Sequence, residues 1–207
     1  SAGVKLEGAG GALALALLTP ADELDARRWM ALTASLESAE LSGVPGLTLS
    51  GHDLEVRVNR ATGPEGTEAL DWTSALDLDD DDNFGDALVV DGQDVNFTGP
   101  FLQASGRVDF NLFGFVGGGA DFVIEKRDVD AEIGGDTLED AGLLTLGLSN
   151  ASLSVGVPSA GVKLEGTGGA VALALLTPAD AADARRWMAL TASLESAQLS
   201  GVPGLTL

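Results

Sequence analysis

Residues 159–207 repeat residues 1–49 at a constant offset of 158, with five differences and no gap. Ala9 becomes Thr167, Leu13 becomes Val171, Glu23 and Leu24 become Ala181 and Ala182, and Glu40 becomes Gln198. A near-identical tandem copy restricts the chain to architectures that tile, in which each unit covers the exposed edges of the one before. We read residues 1–158 as one long repeat and residues 159–207 as the start of the next. The chain then reads as an excerpt of a longer array.

The long repeat divides further. Leucines at 32, 88 and 144 lead similar stretches, each followed by a Pro, a Gly and an alternating segment, and Leu190 repeats Leu32 in the second copy. Their spacings are 56, 56 and 46 residues, together one period. Three degenerate subrepeats are therefore expected, with Leu32, Leu88, Leu144 and Leu190 in equivalent inward positions.

Apolar residues recur at every second position in Leu13–Leu17, Leu47–Leu49, Leu54–Val58 and Val108–Leu112. That period belongs to strands with two unlike faces. Glu55, Arg57, Asp109 and Asn111 are expected to face water. Turns are expected at Gly43–Gly46, Gly99–Pro100 and Gly117–Gly119, where the backbone needs freedom. Thr19-Pro20-Ala21-Asp22-Glu23 has the cap, the first-turn proline and the early acids of a short helix. The fold class expected is all-β: an elongated tandem-repeat β-solenoid or antiparallel β-rod, with this short helix in a connection.

The formal charge of −21 disfavours nucleic acid and anionic membrane surfaces as partners, since both repel it. With 45% hydrophobic residues the chain is nevertheless no disordered acidic tail. It has no Cys, which excludes disulfides and thiolate metal sites. No apolar run approaches the roughly 18 residues of a membrane-spanning helix.

Between Ala61 and Asn96 there are eleven acids and no Lys or Arg. Calcium takes six to eight oxygen ligands, which closely spaced carboxylates can supply. Asp79, Asp81 and Asn83 have the best spacing, with Asp77, Asp82 and Asp86 as helpers. The pattern departs from the helix–loop–helix calcium loop, because the glycine falls one position late, at Gly85, and Val90 stands where a Glu is required. A solvated charged loop is the competing reading.

Catalytic readings are weaker. His52 lies between Ser50-Gly51 and Asp53, but residues this close in a turn cannot face one another as a triad does. Gly8–Gly11 and Gly166–Gly169 lack the Lys-Ser or Lys-Thr of a phosphate loop and read as turns or bulges. Trp29, Trp72 and Trp187 read as core or seam residues. No enzymatic activity is expected.

Phe113-Gly-Phe-Val-Gly-Gly-Gly-Ala-Asp-Phe-Val-Ile-Glu-Lys126, with Leu143-Leu-Thr-Leu-Gly-Leu-Ser-Asn-Ala-Ser-Leu-Ser-Val155, resembles the repeats of giant bacterial surface proteins. The resemblance implies a secreted or surface-attached structural or adhesive role and carries no site residues. The expected function is an extracellular or cell-surface fibre, sheath or stalk. It would assemble with other copies of the repeat through stacked β-edges, and its acidic surface would bind divalent cations. Two alternatives are a calcium-stiffened adhesin of tandem β-sandwiches and an open β-groove that carries lipid. The first expects linkers between modules, and the second expects a continuous exposed apolar trough.

Overall fold

The alternating segments become long strands in the computed structural model, which describes residues 3–157 and 161–201. In chain order these are β1 (Lys5–Leu18), β2 (Arg28–Ser42), β3 (Leu47–Thr62), β4 (Val89–Val90), β5 (Gln93–Asp94) and β6 (Phe101–Leu112). There follow β7 (Val116–Ile133), β8 (Asp136–Val157), β9 (Val162–Thr177), β10 (Trp187–Ser193) and β11 (Ser196–Ser200). Nine form one antiparallel sheet in the order β1-β2-β3-β6-β7-β8-β9-β10, with β11 also on β9. β4 and β5 make a separate small hairpin. Neighbours in sequence are neighbours in the sheet, as successive hairpins require.

β9 is the second copy of β1, and it pairs with β8 from Gly142↔Thr177 to Val157↔Val162. The first strand of the second copy thus joins the sheet of the first. Second-copy β10 and β11 continue on the far side of β9 in the register that β2 takes on β1: Leu32↔Leu15 recurs as Leu190↔Leu173.

A line of irregular positions crosses the middle of the sheet. Gly10, Asp53, Asn150 and Gly168 have φ near +50 to +67°, in the left-handed region that Gly, Asn and Asp enter most readily. Ladder pairing shifts beside Asp53 and Asn150, as bulges require. The bulges reset the alternation. In β3 the apolar set runs Leu47, Leu49, Gly51 and then Leu54, Val56, Val58, changing from odd to even numbers. A Cβ on Gly51 would touch the Leu54 side chain at 3.0 Å, so both positions point to the same side. Gly8 and Leu36 have the same relation on β1 and β2. In β3 the apolar set therefore stays on one face across the bulge.

The connection from β3 to β6, residues 63–100, folds back over the other face as a cap. Trp72, Val95 and Phe97 are buried against Ala16 and Ala31, with Leu18, Trp29, Leu70, Leu76, Leu88 and Phe101 around them. Buried Asn59 locks cap to sheet. Its Oδ1 accepts the Trp72 indole N–H at 2.8 Å, and its amide donates to the Leu70 and Gly99 carbonyls, each at 2.8 Å. This leaves the buried polar group satisfied, as burial demands.

Several expectations are corrected. The connection at Thr19–Glu23 forms a turn, and no helix occurs among the described residues. Asp22 accepts the Leu24 N–H at 2.9 Å and Asp25 the Arg27 N–H at 3.0 Å. Such aspartate turns compete with helix, whose first turn is costly to nucleate between two fixed strand ends. Gly117–Gly119 lies inside β7 rather than in a turn. A Cβ at Gly118 would collide with the Ser152 carbonyl, and one at Gly119 with the Asp109 carboxylate. Leu88 stands outside the large sheet, beside the cap core, whereas Leu32, Leu144 and Leu190 lie on β2, β8 and β10. The expected equivalence of the four leucines fails there, because the cap occupies that stretch of sequence. Finally, the leucines of β1 do not face a core: Leu13 and Leu17 are 62% and 66% exposed, while Ala14 between them is 1% exposed.

Candidate functional site

Two regions hold the functional candidates: the acidic loop of the cap and the uncovered face of the sheet. In the loop, the Asp77 carboxylate accepts the N–H groups of Asp80, Asp81 and Asp82 at 2.8, 3.3 and 3.0 Å. Asp86 accepts the Leu78 N–H at 2.6 Å, and the N–H groups of Gly85 and Asp86 both reach the Leu76 carbonyl. Asp80 and Asp82 enter the left-handed region at φ 62 and 65° to close the turn.

This folding brings carboxylate oxygens of Asp77, Asp79 and Asp86 within 4.8 Å of one another. Of the six residues expected from the sequence, these three converge. Asp81 and Asn83 instead engage each other: Asp81 accepts both the backbone and the amide N–H of Asn83, each at 2.9 Å. The Asn83 amide, followed by its backbone N–H, holds the Asp81 carboxyl below the usual range. Asp82 is exposed and outside the three-carboxylate group. Three converging carboxylates can supply hard oxygen ligands to a divalent cation, whose charge offsets their repulsion.

The uncovered face carries rows of aliphatic side chains that run across the strands. One row is Leu13, Ala34, Val56, Ala104, Ile124 and Leu146, continuing to Leu173 and Leu190. The neighbouring row is Leu15, Leu32, Val58, Leu102, Lys126 and Leu144, continuing to Leu175 and Met188. Many of these side chains are more than a third exposed. An apolar surface of this extent is a candidate interaction site.

Charge is sorted between the two faces. Lys5, Arg27, Arg57, Arg107, Arg127, Lys163 and Arg185 each form an ion pair, and strand alternation places them with the polar face or its connections. Arg107 is the most engaged, bridging Asp109 at 2.8 Å and Asp121 at 3.1 Å on neighbouring strands. Asn150 donates to Asp121 at 2.5 Å, and it is the larger cause, ahead of Arg107, that holds this carboxyl below the usual range.

The other four cations, Arg28, Arg60, Lys126 and Arg186, make no ion pair among the described residues and share the parity of the apolar rows. Arg28 and Arg186 turn back to backbone carbonyls of the adjoining connections. Exposed Arg60 and Lys126 have no side-chain hydrogen bond among the described residues. Lys126 sits directly between Leu102 and Leu144. Arg60 follows Val58 toward the strand end. Asp128, two residues beyond Lys126, Asp130 and Glu132 are the carboxylates that follow on β7. Asp130 accepts the Asp140 N–H at 3.1 Å.

His52 lies in β3, opposite Ser38 and Arg107, and not on a turn. Trp72 belongs to the cap core, while Trp29 and Trp187 carry Arg27 and Arg185 over their rings at 5.4 and 5.5 Å. Gly10 and Gly168 enter the left-handed region inside β1 and β9 rather than in turns. No helix among the described residues is long and apolar enough to cross a membrane. The sequence reading missed the cap core and the sorted cations. The available signals were Trp72, Val95 and Phe97 inside the acidic stretch, and Lys126 at an apolar position of β7.

These features define an all-β repeat protein with one antiparallel sheet, capped on one face and apolar on the other. No protein-family model, curated protein or solved structure matches the chain.

Proposed function

We propose that this chain is a structural repeat of an extended β-ribbon outside the cell, serving as a fibre, sheath or stalk. The reading rests on one observation: the second copy enters the sheet of the first through the β8–β9 ladder. Of the two forms expected from sequence, it builds on the antiparallel rod rather than the solenoid. Each period contributes six long strands, β1–β3 and β6–β8, before β1 recurs as β9. At about 4.8 Å between strands, the ribbon advances by roughly 29 Å per period. The role is mechanical, not catalytic, and the partners are other copies of the repeat and divalent cations. The resemblance to surface repeats supports the extracellular setting.

Electron microscopy of chains carrying one, two and three full periods tests this reading. The expected result is a ribbon whose length rises by a constant step near that value. Particles that remain isolated compact modules, joined without a common sheet, would contradict it.

The acidic loop recurs once per period in such a ribbon, and calcium bound by Asp77, Asp79 and Asp86 would stiffen it. Calcium should then raise the melting temperature more than sodium at equal ionic strength, and Asp79→Asn should remove the difference. Coincident melting curves in all conditions would reduce the loop to solvated charge.

A further inference from the structure

We propose that the uncovered apolar face binds single molecules of an anionic amphiphile, with acyl chains on the leucine and valine rows and the headgroup at Arg60 and Lys126. The face presents aliphatic side chains across the whole width of the sheet, among them Leu15, Leu102, Ile124 and Leu144, all more than a third exposed. An apolar surface of that extent gains free energy from any apolar cover, in proportion to the area removed from water. Apolarity alone does not select the occupant; the placement of charge does.

In a chain with 32 acids and 11 bases, a cation finds a carboxylate readily. The polar face behaves that way, with its lysines and arginines paired. The apolar face does not. Away from the irregular line across the sheet, where Glu37, Asp53 and Glu195 fall, strand alternation places no carboxylate on this face short of Asp128, yet Lys126 stands in an apolar row and Arg60 ends another. Both are exposed and have no ion pair among the described residues. Positive charge at one end of an otherwise neutral, greasy surface complements a molecule with an apolar body and a negative head. Arg28 and Arg186 add positive charge at the same strand ends, while Asp128 and Asp130 lie just beyond Lys126 and limit the attraction to a headgroup near Arg60 and Lys126.

A second copy packed face to face fits less well. It would bury Lys126 between Leu102 and Leu144 against more leucine, and an unpaired buried ammonium is heavily penalised. An amphiphile leaves the ammonium beside an anionic group, where the contact is charge-assisted. Long cationic side chains also keep their stems on apolar surface while the head reaches a polar layer.

The test uses the full chain and phosphatidylcholine vesicles with or without labelled phosphatidylglycerol. After incubation the vesicles are sedimented, and the supernatant protein is passed through a sizing column. Phosphatidylglycerol should elute with the protein, in excess over phosphatidylcholine. The double variant R60E/K126E should lower its capture by about tenfold or more, the loss of one or two charge-assisted contacts. Ile124→Asp should abolish capture of both lipids, and Leu144→Gln should weaken it. Lys163→Gln, on the polar face, should change nothing.

Three results would overturn the proposal. One is equal capture of both lipids with no effect of R60E/K126E. Another is protein that sediments with the vesicles while no lipid appears in the supernatant, which indicates docking to a bilayer. The third is a lipid-free dimer that excludes lipid, which assigns the face to a second copy. None of these bears on growth of the ribbon, so the two proposals fail separately.

Discussion

The β1–β2 hairpin and its second copy, β9 with β10 and β11, have nearly the same sequence and different surroundings. In the first copy Ala16 and Ala31 lie beneath the cap, Ala14 is buried, and Ala31 is 1% exposed. In the second copy Ala172 and Ala189, the counterparts of Ala14 and Ala31, are exposed, and Ala174, the counterpart of Ala16, is half-buried. Trp29 donates its indole N–H to the Glu68 carbonyl of the cap connection at 3.0 Å. β2 runs unbroken from Arg28 to Ser42 between β1 and β3, whereas its counterpart is interrupted between Ser193 and Ser196. The break falls at Leu194-Glu195, counterparts of Leu36-Glu37 at the bulge line. With a ladder on one side only, the strand parts at its weakest pairing.

Other features are the same in both copies. Asp25 grips Arg27 in a forked ion pair, and Asp183 grips Arg185 likewise, with closest contacts of 2.6 and 2.7 Å. Both arginines lie over the following tryptophan ring. Local sequence fixes the connection, while burial and strand continuity come from neighbours far away in the chain.

The sharpest way to break this comparison is to make one substitution at both equivalent sites. Ala31→Leu inserts bulk beneath Trp72 and Phe97 and should cost about 1–3 kcal/mol, as overpacking does. Ala189→Leu meets open surface and should stay within about 0.5 kcal/mol of the parent. Denaturant titration of the two variants measures the contrast, and equal effects would show that the cap does not cover the first copy.

How much of this was legible in the sequence follows from the same contrast. The strand at Leu13–Leu17 was plain from its alternation, but alternation says only that two faces differ. Which face is covered depends on residues 63–100, whose Trp72, Val95 and Phe97 are outnumbered locally by acids. The buried partner surface is alanine, a weak hydrophobic signal. The bulges at Asp53 and Asn150 had a signal in the shift of the leucines from odd to even positions. Gly117–Gly119 misled because close approach between strands and a turn both favour glycine. At the acidic loop, spacing ranked Asp79, Asp81 and Asn83 first, whereas the fold gathers Asp79 with Asp77 and Asp86 and turns Asp81 and Asn83 toward each other. Residues two apart in a tight turn satisfy each other before they can reach a common ion.

A smaller effect should leave the copies alike. Hydrogen bonding from Arg27, with its charge adding to it, lowers the Asp25 pKa to about 2 from its ordinary 3.8, and Arg185 lowers that of Asp183 in the same way. A depressed carboxyl stabilises the fold above its unfolded pKa, and that contribution disappears as pH falls through the folded value. The window for Asp25 is therefore from about pH 4 down to about pH 2. Asp25→Asn and Asp183→Asn should each flatten the acid limb of the stability profile slightly and equally. A large, one-sided effect would mean that the cap reaches further into the connection than these contacts indicate.

The central claim is that each copy acquires its buried, continuous form only when its neighbours join the same sheet. Its most direct test is amide hydrogen exchange on a chain lengthened after Leu207 by the sequence of residues 50–158. The amides of Leu194 and Glu195, and those around Ala189, should become as protected as their counterparts in β2. β10 and β11 would then be one strand between β9 and a new partner. If those amides still exchange at the rate of the present chain, the second copy does not extend the sheet, and growth by strand addition is wrong.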